Sequence, residues 1–130
     1  MIKYRINPAI SAEDFIDILN RSGLAERRPV NDIEVINGML EHADIIIAAY
    51  NNDKIVGIAR AVTDYHYCCY LSDLAVDKKY QHQGIGKALI SKLKKSLHKN
   101  CKIILLSAPA ATEYYPKIGF EKHNSAWVLK

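Results

Sequence analysis

Ile45 to Tyr50, an unbroken apolar run closed by Asn51-Asn52-Asp53, constrains the fold of this chain more than any other stretch. It has the length of a strand rather than of a helix, and without a polar face it reads as a buried one. Lys54 to Thr63 returns from the turn as its hairpin partner. Ahead of this hairpin, Ile2 to Asn7 reads as a short strand before Pro8. Ser11 then starts a helix, with Asp14 three residues on, a stripe of Phe15, Ile18 and Leu19, and Gly23 as its stop. A second helix begins at Asn31, with Glu34 completing its capping box and Ile33, Ile36 and Leu40 facing inward. After the hairpin, Tyr65 to Val76 is extended. Ile85, Ala88, Leu89, Leu93 and Leu97 mark one face of a long helix, and Lys87, Lys92, Lys94 and Lys95 its solvated face. Ile103 to Leu106 reads as a buried strand, and Ala111 to Ile118 as a short helix closed by Gly119. Two last strands are expected around Glu121–His123 and Ala126–Leu129. The order β-α-α-β-β-β-α-β-α-β-β is a layered α/β (α+β) arrangement with an antiparallel-rich sheet.

A length of 130 residues suits one domain, and no linker, repeat or low-complexity tract divides residues 1–130. Cys68, Cys69 and Cys101 make an odd number without a C-x-x-C pair. A disulfide framework or zinc site is therefore not expected, and a reduced, cytoplasmic setting is. His42, His82, His98 and His123 are too scattered to read as a metal site. No apolar run reaches the roughly 20 residues of a spanning helix, so no membrane partner is expected. The formal charge of +4 suits a polyanion or a small polyphosphate alike. The basic residues are dispersed and lack aromatic interleaving, which ranks nucleic acid last among partners.

The strongest chemical signal lies just beyond the strand ending at Val76. The loop Asp77–Gln83 leads into a helix opening at Gly84, with Gly86 in its first turn. Such a helix end presents amides without intrahelical partners and a partial positive charge, a ready phosphate site. Glycines let a ligand approach that backbone, at a cost of about 1 kcal/mol each in helix stability relative to alanine. The pattern is neither a P-loop nor G-x-G-x-x-G, because Leu89 stands where a third glycine is needed.

Leu74-Ala75-Val76 followed by Gln81-x-x-Gly84-x-Gly86 resembles the acyl-CoA signature of the GNAT superfamily of N-acetyltransferases, Q/R-x-x-G-x-G/A. Downstream, Tyr114-Tyr115-Pro116-Lys117-Ile118-Gly119-Phe120 resembles that family's F-Y-x-K-x-G-F block, one helix and one strand later. The resemblance implies a mixed, mostly antiparallel sheet of six to seven strands flanked by about four helices, with a splayed strand pair holding CoA. It implies acetyl-CoA as co-substrate, with no metal, and transfer of the acetyl group to a primary amine by direct attack in a ternary complex. The acceptor is a small molecule or an exposed amino group, and a homodimer is allowed. The alternative is a non-catalytic CoA-binding or sensing domain.

Carried onto this chain, the segment Gln81, His82, Gln83, Gly84, Ile85, Gly86 and Lys87 would hold the pyrophosphate, and the backbone of Leu74, Ala75 and Val76 the pantetheine arm. A backbone amide near Leu74 or Ala75 would receive the oxyanion. Tyr115 takes the position of the general acid: a phenol of pKa near 10 can protonate a thiolate whose thiol has a pKa of about 8.5. Tyr114 is its aromatic neighbour, with packing or a CoA contact rather than chemistry as its role. Asp73 has two readings, a base for the ammonium or a carboxylate paired with a lysine; His66 and a water chain are the other sources of a base. The cluster Tyr65, His66, Tyr67 and Tyr70 either lines the acceptor pocket or packs across strands. Many relatives carry an asparagine where this chain has Ala108, which leaves Ser107 as its replacement. Pro116 should shorten or kink the last helix.

Overall fold

The computed structural model describes residues 1–130. Five strands form one sheet in the order β1 (Ile2–Ile6), β2 (Ile45–Asn51), β3 (Lys54–Thr63), β4 (Cys68–Val76) and β5 (Lys102–Ile104). β1 to β4 run antiparallel to their neighbours, and β5 joins β4 in parallel. The helices are α1 (Ala12–Ser22), α2 (Ile33–Glu41), α3 (Ile85–Lys95) and α4 (Tyr114–Lys117).

The apolar run of β2 is explained by two helical layers. Ile45, Ile47 and Ala49 face one way and pack with Ile85, Leu89 and Leu93 of α3. Ile46, Ala48 and Tyr50 face the other and pack with Phe15, Ile18 and Leu19 of α1 and Ile36 of α2. Each large side chain so buried contributes about 1.5–3 kcal/mol by leaving water. α1 starts as expected: the Ser11 hydroxyl accepts the Asp14 amide at 3.1 Å, and Gly23, at φ 87°, closes the helix. The N-cap of α2 falls one residue later than Asn31. The Asp32 carboxylate caps it by accepting the Val35 amide at 3.3 Å, adding negative charge to the helix N-terminus, and Ile33 is left exposed.

One irregularity reverses the facing of β4 partway along its length. Arg60 pairs with Asp73 while Ala61 pairs with Leu71, so Ser72 is the extra residue of a β-bulge. Before the bulge, Cys69 and Leu71 face the α3 core; after it, Ala75 faces the α1–α2 core. The bulge thus turns Asp73 and Ala75 toward the first two helices.

The sheet ends at β5, so the strands expected around Glu121–His123 and Ala126–Leu129 do not form. Trp127 and Leu129 are 95% and 100% exposed. Their strand propensity is realised only by pairing and packing, and they pair with no strand although the outer edge of β5 is free. The helix expected over Ala111–Ile118 is a 3-10 turn at Pro109–Ala111 followed by the short α4, with Pro116 at a first-turn position where its missing N–H costs nothing. No helix is long and apolar enough to cross a membrane.

Candidate active site

β4 pairs with β3 over its length, but with β5 only from Cys68–Lys102 to Tyr70–Ile104. From Leu71 to Val76 its second edge is open. The slot between the two strands leads at one end to the glycine loop and at the other to a pocket.

The loop is held from beneath. Asp77 is buried; its carboxylate accepts the Lys79 amide at 2.9 Å and pairs with Arg21 at 2.6 Å, and Arg21 also donates to the Ile55 carbonyl at 2.6 Å. Burial pushes the Asp77 pKa up, but the Lys79 amide and the Arg21 guanidinium outweigh it and hold the carboxyl below its ordinary value. The Gln81 side chain donates to the Val76 carbonyl at 3.1 Å. Two residues then turn the chain with positive φ, His82 at 64° and Gly84 at 81°. Gly84 caps α3 without any side-chain hydrogen bond.

As a result, no backbone amide from Gln81 through Lys87 donates to an acceptor in the protein. Consecutive free amides at a helix N-terminus form a cradle for an anion. Ile85 is buried in the α3 core, so it offers its amide and not its side chain, while Gln83 and Lys87 are exposed. A Cβ on Gly86 would stand 2.5 Å from the Tyr114 hydroxyl, which places Tyr114 over this turn. A Cβ on Gly57 of β3 would stand 3.0 Å from Ile85, so that glycine lets the start of α3 settle onto the sheet.

At the other end lies a pocket of about 320 Å³. Leu71, Ser72 and Leu74 of β4 form one wall and Leu105 and Leu106, beyond β5, another; Arg27 and Arg28 close it from the turn after α1, and Tyr115 also lines it. Tyr115 stacks edge-on against Phe120 and Tyr114, with ring centroids 5.4 and 5.3 Å apart. Its hydroxyl makes no hydrogen bond within the protein, yet no buried polar side-chain atom lacks a partner, so this oxygen reaches open space. Burial raises the Tyr115 pKa, Tyr114 raises it further, and the Arg28 cation pulls it back. The phenol therefore stays protonated at neutral pH and able to donate.

Asp73 is fully buried, and its two oxygens pair separately with Nε of Arg28 and Nε of Arg60. Its partners are these two arginines and not a surface lysine. Tyr65 and Tyr67 do not line the pocket. Tyr65, at φ 67°, lies in the turn before β4 with its hydroxyl donating to the Asp44 carbonyl at 2.5 Å, and Tyr67 is exposed. Tyr70 is the tyrosine of that segment in the pocket wall. His66 stacks on His98, with centroids 5.9 Å apart, also away from the pocket. Ser107 is half-buried and without a hydrogen bond, and its neighbour Ala108 lines the pocket. Tyr70 was the one member of the expected Tyr65–Tyr70 cluster that lines the pocket, whereas sequence reasoning missed Arg27, Arg28 and Arg60. Arg60 carried a signal: a cation in the middle of a buried strand needs an internal partner. Arg27 and Arg28 carried none.

Comparison with known proteins defines the class. The model of the acetyltransferase (GNAT) domain matches residues 19–128. A glucosamine 6-phosphate N-acetyltransferase of Trypanosoma brucei brucei is 31% identical over 114 residues, covering 78% of each chain. The chain belongs to the GNAT acetyltransferase family. It is also 37% identical over 70 residues to the chloroplastic GCN5-related N-acetyltransferase 2 of Arabidopsis thaliana, 52% of this chain and 27% of that protein. The chain spans under a third of the length of the first curated relatives it matches. A crystal structure of a probable acetyltransferase of unknown function from meticillin-resistant Staphylococcus aureus shares the fold, with TM-score 0.80, 23% identity and coverage of 100% and 99% of the two chains.

Proposed function

We propose that residues 1–130 act as one acyltransferase unit that moves an acetyl group from acetyl-CoA to a primary amine by direct attack in a ternary complex. One observation carries this reading: the acceptor-free amides of Gln81–Lys87 and the open hydroxyl of Tyr115 stand at the two ends of one slot. The amide cradle fits a pyrophosphate, and the unpaired edge of β4 fits an amide-bearing pantetheine arm that would add to it as a strand does. Acetyl-CoA supplies the electrophile, its thioester carbonyl carbon.

The protein's own part is to orient, to stabilise charge and to move one proton. The backbone of Leu74 and Ala75 borders the slot, where an amide would receive the oxyanion formed as the amine nitrogen bonds to carbon. As the carbon–sulfur bond breaks, Tyr115 gives its proton to the sulfur, and the proton leaving the nitrogen restores the phenol through solvent. Asp73 serves in this scheme as an anchor for Arg28 and Arg60. A small-molecule acceptor suits a pocket of about 320 Å³, and the sugar amine in the trypanosomal relative's name supports that class. The free cysteines Cys68, Cys69 and Cys101 support a reducing compartment such as the cytoplasm.

Thiol release from acetyl-CoA, measured across an amine panel, tests the reading. The wild type should turn over, and Tyr115→Phe should lower kcat by about 10²- to 10⁴-fold with little change in KM for acetyl-CoA. No turnover with any amine, despite tight CoA binding, would leave the non-catalytic CoA-binding reading instead.

A further inference from the structure

We propose that the acceptor amine carries an anionic group of its own, a phosphate or a carboxylate, which the guanidinium of Arg27 receives at the mouth of the pocket while the amine points inward to Tyr115. The inference rests on the acyltransferase reading and names the acceptor class within it.

The charge of the pocket is the first ground. Arg27 and Arg28 both line it, and no carboxylate does. The carboxylate beneath it, Asp73, is shared by two cations, Arg28 and Arg60, so the cluster holds more positive than negative charge in a largely buried place. Uncompensated charge away from water is costly, and a ligand anion relieves it. Arg28 cannot leave to find solvent, because its other nitrogens donate to the Arg27 carbonyl at 2.8 Å and the Ser72 carbonyl at 2.7 Å.

The state of Arg27 is the second. It ends a 3-10 turn, Leu24–Arg27, and is exposed, and its guanidinium has neither an ion-pair partner nor a hydrogen bond. A free planar fork at the edge of a cavity suits bidentate capture of a phosphate or carboxylate. The third ground is chemical. The nucleophile must be neutral, and neighbouring cations favour the neutral amine over the ammonium. The same field that attracts an anionic tail therefore assists deprotonation of the amine, while a polyamine would be repelled by it.

Matched acceptors test this: glucosamine against glucosamine 6-phosphate, ethanolamine against phosphoethanolamine, and cadaverine against lysine. The anionic member of at least one pair should have kcat/KM about tenfold or more above its partner, an advantage that shrinks as salt rises. The first two pairs report a phosphate and the third a carboxylate. In Arg27→Gln the ratio within the favoured pair should collapse through KM for the acceptor, and Arg27→Lys should restore part of it. Equal or better turnover of the non-anionic members overturns the proposal, as does an Arg27→Gln effect confined to KM for acetyl-CoA. Turnover of none of these amines, or of any other, removes the acyltransferase reading and this inference with it.

Discussion

Replacing Gly86 with alanine should separate anion binding from folding. The new Cβ would stand 2.5 Å from the Tyr114 hydroxyl and 3.8 Å from Cγ2 of Val76. Tyr114 is 37% exposed, so its ring can swing outward and relieve the clash cheaply. Alanine in place of a helical glycine recovers about 0.5–1 kcal/mol, which leaves the net change in stability within about 1 kcal/mol of zero. Binding behaves differently. The methyl group fills the approach to the amides of Gly84 to Lys87, and a hydrogen bond from an amide to a charged phosphate contributes about 1.5–3 kcal/mol. Loss of one such bond raises Kd for CoA by about ten- to hundredfold. Titration calorimetry with CoA, and with pantetheine, which has the thiol arm and no pyrophosphate, reads this directly, and thermal melts of the free protein report folding. The expected result is weaker CoA binding, unchanged pantetheine binding and a Tm within about 4 °C of wild type. Undiminished CoA affinity would refute the amide cradle, and an equal loss for pantetheine would move the defect into the slot. Gly84→Ala is the contrasting case. At φ 81° a side chain is strained by about 1–2 kcal/mol, so that variant should lose stability before any ligand is added.

The buried ion pairs lead to two further expected outcomes. Asp73→Asn leaves the Arg28 and Arg60 guanidinium groups without their shared anion and should cost about 3–5 kcal/mol in urea unfolding; a loss under about 1 kcal/mol would show the pairing to be dispensable. Asp77 has its folded pKa held below the ordinary value, so the unfolded chain binds the extra proton. Its contribution is fully present above about pH 4 and is lost as pH falls through the folded pKa. Melts between pH 2 and 6 should show Asp77→Asn less stable than wild type at the upper end and flatter across the acid range; parallel curves would exclude this linkage.

The sequence made the elements from β1 to α3 legible because each carries a local signal: the Ser11 cap, the helical stripes, the apolar run of β2 and the glycines ahead of α3. The amide cradle was readable for the same reason, since its chemistry lies in consecutive residues. Asp73 was not. Its partner Arg28 lies 45 positions away, and the side chain faces Arg28 only because a bulge at Ser72 reverses the alternation of β4. Tyr65 and Tyr67 were misplaced by the same assumption of a continuous strand, whereas β4 begins at Cys68, after the turn that holds Tyr65. The last two strands were expected at the polar Glu121–His123 and the short apolar run Ala126–Leu129, and neither segment carries information about whether it will pair.

The bulge does more than redirect Asp73. A bulged residue is left out of the strand ladder, and here the two arginines take it up: the Ser72 carbonyl accepts from Arg28 at 2.7 Å and its hydroxyl from Arg60 at 2.9 Å. It lies just beyond Tyr70–Ile104, the last paired residues of β4 and β5, so the strand is tied to the turn after α1 where the slot opens. An open strand edge is otherwise a mobile feature; cross-linked in this way, one wall of the pocket is fixed before any ligand arrives. Preorganisation of that kind matters most for the group that must meet the thioester within a few tenths of an ångström. The arginines that give the pocket its charge are therefore also the ones that set its shape, and neither property can be removed by substitution without disturbing the other. Arg27, which has no partner in the protein, is the exception, and for that reason it is the position at which acceptor charge can be tested apart from the fold.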